Sequence, residues 1–252
     1  MARHALLAHG HSLRSFFDLN LGDKDDAMIH IDHIAIGSAN LYEASHRLRE
    51  ETGLGFYDGG WFKMGIANKI FPLGAGTYIE VESVVDSKKF EPGTPVTDFF
   101  YKEMTDDHFT GLCLRVDSLE ELQEVAKRHN TSILQGDAAE RIRTSGPRMI
   151  THQAPSAADT WPKGLPNWYF FEDITIHPSG QPVLPAPGLV NPMGIAWLEM
   201  GGTESQMTDW LGVPASGYPF KFNGKALGLY AVAVKSDRGE IVIRRKHIGD
   251  VA

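Results

Sequence analysis

At 252 residues the chain is long enough for one large domain or two small ones, with a sizeable core. A formal net charge of −8 with no long basic run gives no support to phosphate-backbone binding, so nucleic acid is not an expected partner. The single cysteine, Cys113, excludes a disulfide framework and a Cys-rich zinc site and fits a reducing, cytoplasmic compartment. No apolar run approaches the roughly 20 residues that span a bilayer, so no membrane partner is expected either.

Residues 1–28 read as a solvated N-terminal arm. Its apolar piece, "ALLA", is too short for the core of a secretion signal, and a solvated arm accounts for His4, His9 and His11 better than a metal role does. After the arm, three places repeat one grammar: an apolar strand, a capping signal, then an amphipathic helix. The first is "IDHIAIG" and "NLYEASHRLREETG", where Asn40 and Glu43 have capping-box spacing, Leu41, Ala44 and Leu48 share a face, and Gly53 suits the stop. The second is "FTGLCLRV" and "SLEELQEVAKRHN", with Ser118 and Glu121 as cap and Leu122, Val125 and Ala126 inside. The third is "GIAWLEMGG" and "TESQMTDWLG", capped by Thr203 and Gln206 and ended by Gly212.

Further strands follow each helix. "DGGWFKMG", "IANKIFPLG" and "GTYIEVESV" complete the first unit, and "RIRTSGPRMITHQA" and "NWYFFEDITI" belong to the second. The third ends in a hairpin turning at Asp237, Arg238 and Gly239. A Pro-rich connector from His177, which itself suits a turn cap, leads from the second unit to the third. A recurrence at roughly 80 residues is an internal repeat and governs the expected fold. The expectation is one α+β domain over 29–252, with unit one at 29–86, unit two at 108–178 and a third, partial unit at 193–245.

A strand–helix–three-strand unit that opens on a strand-borne histidine and closes on "YIEVE" resembles the vicinal-oxygen-chelate superfamily. That group includes glyoxalase I, extradiol dioxygenases, fosfomycin-resistance proteins and bleomycin-binding proteins, and the large glyoxalase-like domains are the nearer likeness. It is carried by His33, by Gly59-Gly60, by "GIAN" ending at Asn68, by Tyr78-Ile79-Glu80, and by "LPNWYFFEDITIHPSG" in the second unit. It extends over about residues 29–245. One departure is that Trp61 and Phe62 follow the Gly-Gly pair, where relatives often have a histidine. The resemblance implies paired units whose strands curl into a half-open barrel around one cavity, with the third unit incomplete.

Strand alternation puts His33 on a face with Ile31, Ala35 and Gly37, and Glu80 on a face with Tyr78 and Glu82. A core histidine with a hydrogen bond and a solvated strand face explain these residues as simply. The family's inward-facing ligand at that place favours Glu80. Overlaying unit two on unit one puts Gly111 opposite His33 and Arg115 opposite Gly37. It lets Glu172 sit opposite Glu80, or Phe170 or Phe171 after a small shift. The implied metal shell is His33, Glu80 and Glu172, completed by His108 or His152, and His108 reaches in only where its strand starts early or bulges.

One imidazole and two carboxylates suit a divalent ion such as Fe, Mn, Zn or Ni, which polarises a carbonyl and stabilises an enediolate. His33 acting as a general base needs no metal. Arg115 either pairs with a carboxylate or binds an anionic substrate through its fork. Trp61, Phe62, Trp168 and Tyr169, with Asn68, are the expected substrate-binding residues, and the aromatics favour an apolar or aromatic ligand. Cys113 reads as a small buried apolar residue.

Three functions stay open. The first is a metal-dependent lyase, isomerase or dioxygenase with His33 and Glu80 as catalytic residues, acting on a small oxygenated, aromatic or anionic compound. The second is a metal-free binding or sequestering protein, favoured by the missing histidine at Gly111. The third is a metal-independent enzyme with His33 as base. A small-molecule substrate is the expected partner in the enzyme readings, and a homodimer is compatible with all three.

Overall fold

Asn40, Ser118 and Thr203 start the three helices found among the described residues of the computed structural model, which are 29–62, 65–89, 106–135, 141–142, 149–155 and 167–247. The N-terminal arm and its three histidines lie outside them. In α1 (Leu41–Thr52) the Asn40 side chain accepts from the Tyr42 and Glu43 amides, and Gly53 closes the helix at φ 72°, where a side chain would be strained. α2 (Leu119–Arg128) and α3 (Glu204–Leu211) begin with complete capping boxes, Ser118 with Glu121 and Thr203 with Gln206.

The strands in chain order are β1 (His30–Gly37), β2 (Tyr57–Phe62), β3 (Ile66–Gly74), β4 (Thr77–Val84), β5 (His108–Arg115), β6 (Leu134–Gln135) and β7 (Arg141–Ile142). They continue with β8 (Met149–Pro155), β9 (Asn167–Ile174), β10 (Pro192–Met200), β11 (Phe220–Phe222), β12 (Leu229–Ser236), β13 (Gly239–Arg244) and β14 (Lys246–His247). Units one and two share one wiring. In each the first strand lies parallel to the last, β1 on β4 and β5 on β9, and the remaining strands add antiparallel. β1 and β5 pair antiparallel and join the units into a ten-stranded sheet ordered β6-β8-β9-β5-β1-β4-β3-β2-β7, with β14 beside β5.

This order forces the sheet to curl. β6 and β7 stand at opposite ends of the path, eight strand spacings or about 38 Å apart if the sheet were flat. Gln135 and Arg141 are joined by a piece of chain that reaches at most about 20 Å. The result is a curled half-barrel. The third segment repeats the strand–helix–strand order but not the wiring: β11 returns directly beside β10, and the separate four-stranded sheet runs β11-β10-β12-β13. Its hairpin turns at Asp237 and Arg238, with Gly239 opening β13.

Period-two alternation divides the large sheet into two faces. Ile34, Ile36, Ile79, Val81, Leu112 and Leu114 enter the core, where they meet Ala44 and Leu48 of α1 and Leu122 and Val125 of α2. The second sheet joins through Leu198, Val232 and Val234 together with Trp210 of α3. Each such buried large apolar side chain contributes about 1.5–3 kcal/mol. The opposite face of the large sheet carries His33, Tyr78, Glu80 and Asn68.

Candidate functional site

The site begins with a defect in β1. The β1–β5 ladder pairs Ile31 with Leu114 and then His33 with Cys113, so Asp32 is an extra, bulged residue. A bulge bends the strand and re-aims its side chains. Ile31 packs against the core and does not share a face with His33 as simple alternation requires, while Asp32 and His33, adjacent in sequence, meet through their side chains.

Asp32 has no exposed surface and is the hub of the site. Its Oδ1 lies 2.7 Å from His33 Nδ1, and its Oδ2 lies 2.9 Å from His177 Nε2 and 3.3 Å from Arg115 Nε. Burial works against ionisation, but hydrogen bonds from His177 and His33 outweigh it and hold the carboxyl well below the usual carboxylate range. His177 caps a short 3-10 turn, its Nδ1 accepting from the Ser179 amide at 3.3 Å, so its proton sits on the nitrogen facing Asp32. Sequence reasoning passed over Asp32. The available signal was an acid inside an otherwise apolar strand, next to the histidine.

A carboxylate only accepts, so His33 Nδ1 carries a proton. The opposite nitrogen, Nε2, lies 3.7 Å from Glu80 Oε2. The ring stacks on Tyr78 with centroids 4.5 Å apart and 17° between planes, and Tyr169 approaches at 5.3 Å. His33 is 3% exposed and Glu80 1%. Burial disfavours the imidazolium, but Cys113 and Asp32 beside it outweigh that and raise the His33 pKa well above the ordinary imidazole value. Burial also pushes the Cys113 thiol up, leaving it neutral near pH 7, so Asp32 supplies the charge that favours imidazolium.

Asn68 donates to Glu80 Oε1 and fixes the carboxylate. The neighbouring glycine explains itself here. A β-carbon on Gly59 would stand 2.2 Å from Asn68 Oδ1, so only glycine lets Asn68 take this position.

The structure does not gather the whole predicted metal shell. Glu172 is largely exposed and pairs with His152 at 2.8 Å. The register explains this: Ala35 pairs with Glu80 and Cys113 with Asn167, while Ala35 and Cys113 each stand five residues before their helix caps. Asn167 therefore holds the place in unit two that Glu80 holds in unit one, and Gly111 holds that of His33. His108 pairs with Gly37, four residues along β1 from His33, or about 13 Å. Among the described residues no group of three or more His, Cys, Asp and Glu side chains is arranged to hold a metal ion. His33 and Glu80 offer two converging donors, and the described residues do not complete a four-ligand site.

The predicted substrate residues separate as well. Tyr169 lies beside His33, but Trp168, next in sequence, faces the other way and stacks on Trp210 at 5.0 Å in the core. Trp61 is 60% exposed on β2, with Phe62 half-buried after it. Phe170 packs against the core, while Phe171 stands edge-on to His177 at 5.4 Å. Arg115 is engaged by Asp32 and by Asp117, the latter at 3.4 Å, so its charge is paired within the protein.

The profile of a family described as "Glyoxalase-like domain" matches residues 31–212. Among solved structures the chain is similar to a hypothetical protein from Staphylococcus aureus, at 13% identity and a TM-score of 0.52, covering 87% of this chain and 86% of that one. It is also similar to methylmalonyl-CoA epimerase from Mycobacterium tuberculosis, at 15% identity and a TM-score of 0.40, covering 56% of this chain and 85% of that one. At such identities the first likeness speaks for the fold alone. A search of curated proteins found none that matches.

Proposed function

The chain belongs to the glyoxalase-like domain family, and from that premise we propose that it is an enzyme moving a proton on the carbon beside a carbonyl group of a small oxygenated compound. Glu80 takes the proton, and His33, held by Asp32, presents Nε2–H to the carbonyl oxygen as it becomes an enolate. The observation that carries this reading is the buried row Asp32–His33–Glu80, with separations of 2.7 and 3.7 Å. An imidazole whose charged form is favoured, set beside a carboxylate, can serve as an acid–base pair. Burial strengthens both interactions, because no water competes for them. Tyr78, Tyr169 and Phe171 around His33 and His177 support an apolar body on the substrate. The same sealing means that a substrate has to part the walls to enter, as in enzymes that close over their ligands.

The reading is tested by solvent exchange. Small 2-oxo and 2-hydroxycarbonyl compounds are incubated with chelator-treated protein in D2O, and deuterium at the adjacent carbon is followed by NMR. Exchange in the wild type that is lost in Glu80→Gln supports it. Exchange that is unaffected by Glu80→Gln and His33→Gln contradicts it.

In a second reading His33 and Glu80 would be the residues that hold a divalent ion of the Fe, Mn, Zn or Ni class, which would polarise a substrate carbonyl, and Asp32 orients the histidine. The convergence of Nε2 and Oε2 favours it. Elemental analysis of purified protein, with restoration of activity by added metal after chelation, separates it from the first.

A further inference from the structure

Four residues along β1 from His33, the same face of the sheet carries a second buried histidine that the acid–base pair does not use. β5 begins at His108 and slips register between Gly111 and Phe109, leaving Thr110 as an extra residue. Phe109, Leu112 and Leu114 enter the core, so His108 lies on the opposite face, beside Gly37, with Glu82 of β4 on the other side of that glycine. His108 is 2% exposed. Its Nδ1 meets the Asp106 carbonyl at 2.7 Å. A carbonyl only accepts, so Nδ1 carries a proton, and in that tautomer Nε2 is the acceptor of the ring.

Nε2 of His108 is buried with no hydrogen-bond partner, and so is the hydroxyl of Thr110. Buried polar atoms are almost always paired, and two unpaired ones on neighbouring residues of one strand leave hydrogen-bonding capacity that a bound group can satisfy. Between the two histidines the sheet face is floored by Ala35, Gly111 and Gly37, which carry at most a methyl group over about 13 Å of strand.

We propose that His108 and Thr110 form a recognition subsite for a hydroxyl group at the far end of an elongated substrate whose carbonyl end lies at His33 and Glu80. A hydroxyl donates to His108 Nε2 and accepts from Thr110, whereas a carboxylate has no proton to give Nε2. This departs from the anionic ligand expected from the sequence. It rests on the proposed function only for the position of the reacting end.

The test titrates octan-2-one, 8-hydroxyoctan-2-one and 7-oxooctanoate against the full chain, with binding followed by NMR. The hydroxyketone is expected to bind about five- to tenfold more tightly than octan-2-one, the range of one neutral hydrogen bond, and the carboxylate more weakly than either. The advantage disappears in His108→Leu and in Thr110→Val, the second keeping the shape that the first changes. Glu80→Gln keeps the hydroxyl preference while removing exchange chemistry, so the two readings fail separately. Equal or weaker binding of the hydroxyketone, tighter binding of the carboxylate, a preference that survives in both variants, or no binding of any of the three overturns the subsite.

Discussion

His177 Nε2 meets Asp32 Oδ2 at 2.9 Å, joining residues 145 apart in the chain. The bond ties the turn that leads out of unit two to the bulge of the first strand. Asp32 thereby gains a donor on each oxygen, and His33 is held by a carboxylate that cannot rotate away without breaking its other contacts.

Asp32→Asn keeps the shape and removes the charge. His33 and Arg115 then face a neutral amide, and breaking a buried pair in this way costs about 3 kcal/mol, the low end of the usual range because Arg115 keeps part of its side chain in water. A urea denaturation series is expected to show that loss, together with a lower His33 pKa by NMR. An unchanged midpoint and pKa contradict the role given to Asp32.

Gly59→Ala places a methyl group against Asn68 and displaces the amide from Glu80. The expected cost is about 1–3 kcal/mol, as for other forced insertions into packed sites. Whatever exchange activity the wild type shows should fall with it, and Asn68→Ala should lower activity comparably without the clash. A stable, fully active Gly59→Ala excludes the Asn68–Glu80 contact as a requirement.

Arg115→Lys keeps the charge but loses the fork that spans Asp32 and Asp117. Thermal stability is expected to fall by about 1 kcal/mol, and by more for Arg115→Met. Preference between matched neutral and anionic ligands should not move. A change in that preference shows Arg115 to be a substrate residue.

Stability should also follow pH in a definite shape. Asp32 titrates lower in the fold than in the unfolded chain, so its contribution is complete above about pH 4 and is lost as pH falls through the folded value. His33 titrates higher, so its contribution is complete below about pH 6.5 and is lost as pH rises through its folded value. His129, buried between Trp168 and Trp210 and next to Arg128, is lowered to about 4, and stability is lost as pH falls from about 6.5 toward that value. The urea midpoint should rise between pH 4 and 6.5 and fall on the alkaline side. His129→Phe should flatten the acid slope alone, and a flat profile for the wild type counts against both assignments.

The sequence was most legible where structure is local. Ser118 with Glu121 and Thr203 with Gln206 formed the boxes their spacing implies, and Gly53 and Gly212 closed their helices at φ 72° and 75°. Residues set by alternation alone were legible only while the ladder stayed regular. Ile79 and Val81 entered the core and Glu80 the other face, but the bulge at Asp32 broke the pattern by one residue and hid the hub of the site. In β9, Trp168 and Tyr169 are adjacent aromatics of equal promise in sequence, and only the pairing of Arg115 with Tyr169 shows which faces His33. The partner of Arg115 was out of reach for the same reason, since Asp32 joins it across the β1–β5 bulge.

The measurement that bears most directly on the account is the protonation state of the His33 ring in chelator-treated, nitrogen-labelled protein, read from the ring nitrogens by NMR at pH 7. The account predicts protons on both nitrogens, with the Nδ1 proton shifted far downfield by its bond to Asp32 and returning toward ordinary values in Asp32→Asn. A neutral ring with its proton on Nε2 and a bare Nδ1 would contradict it.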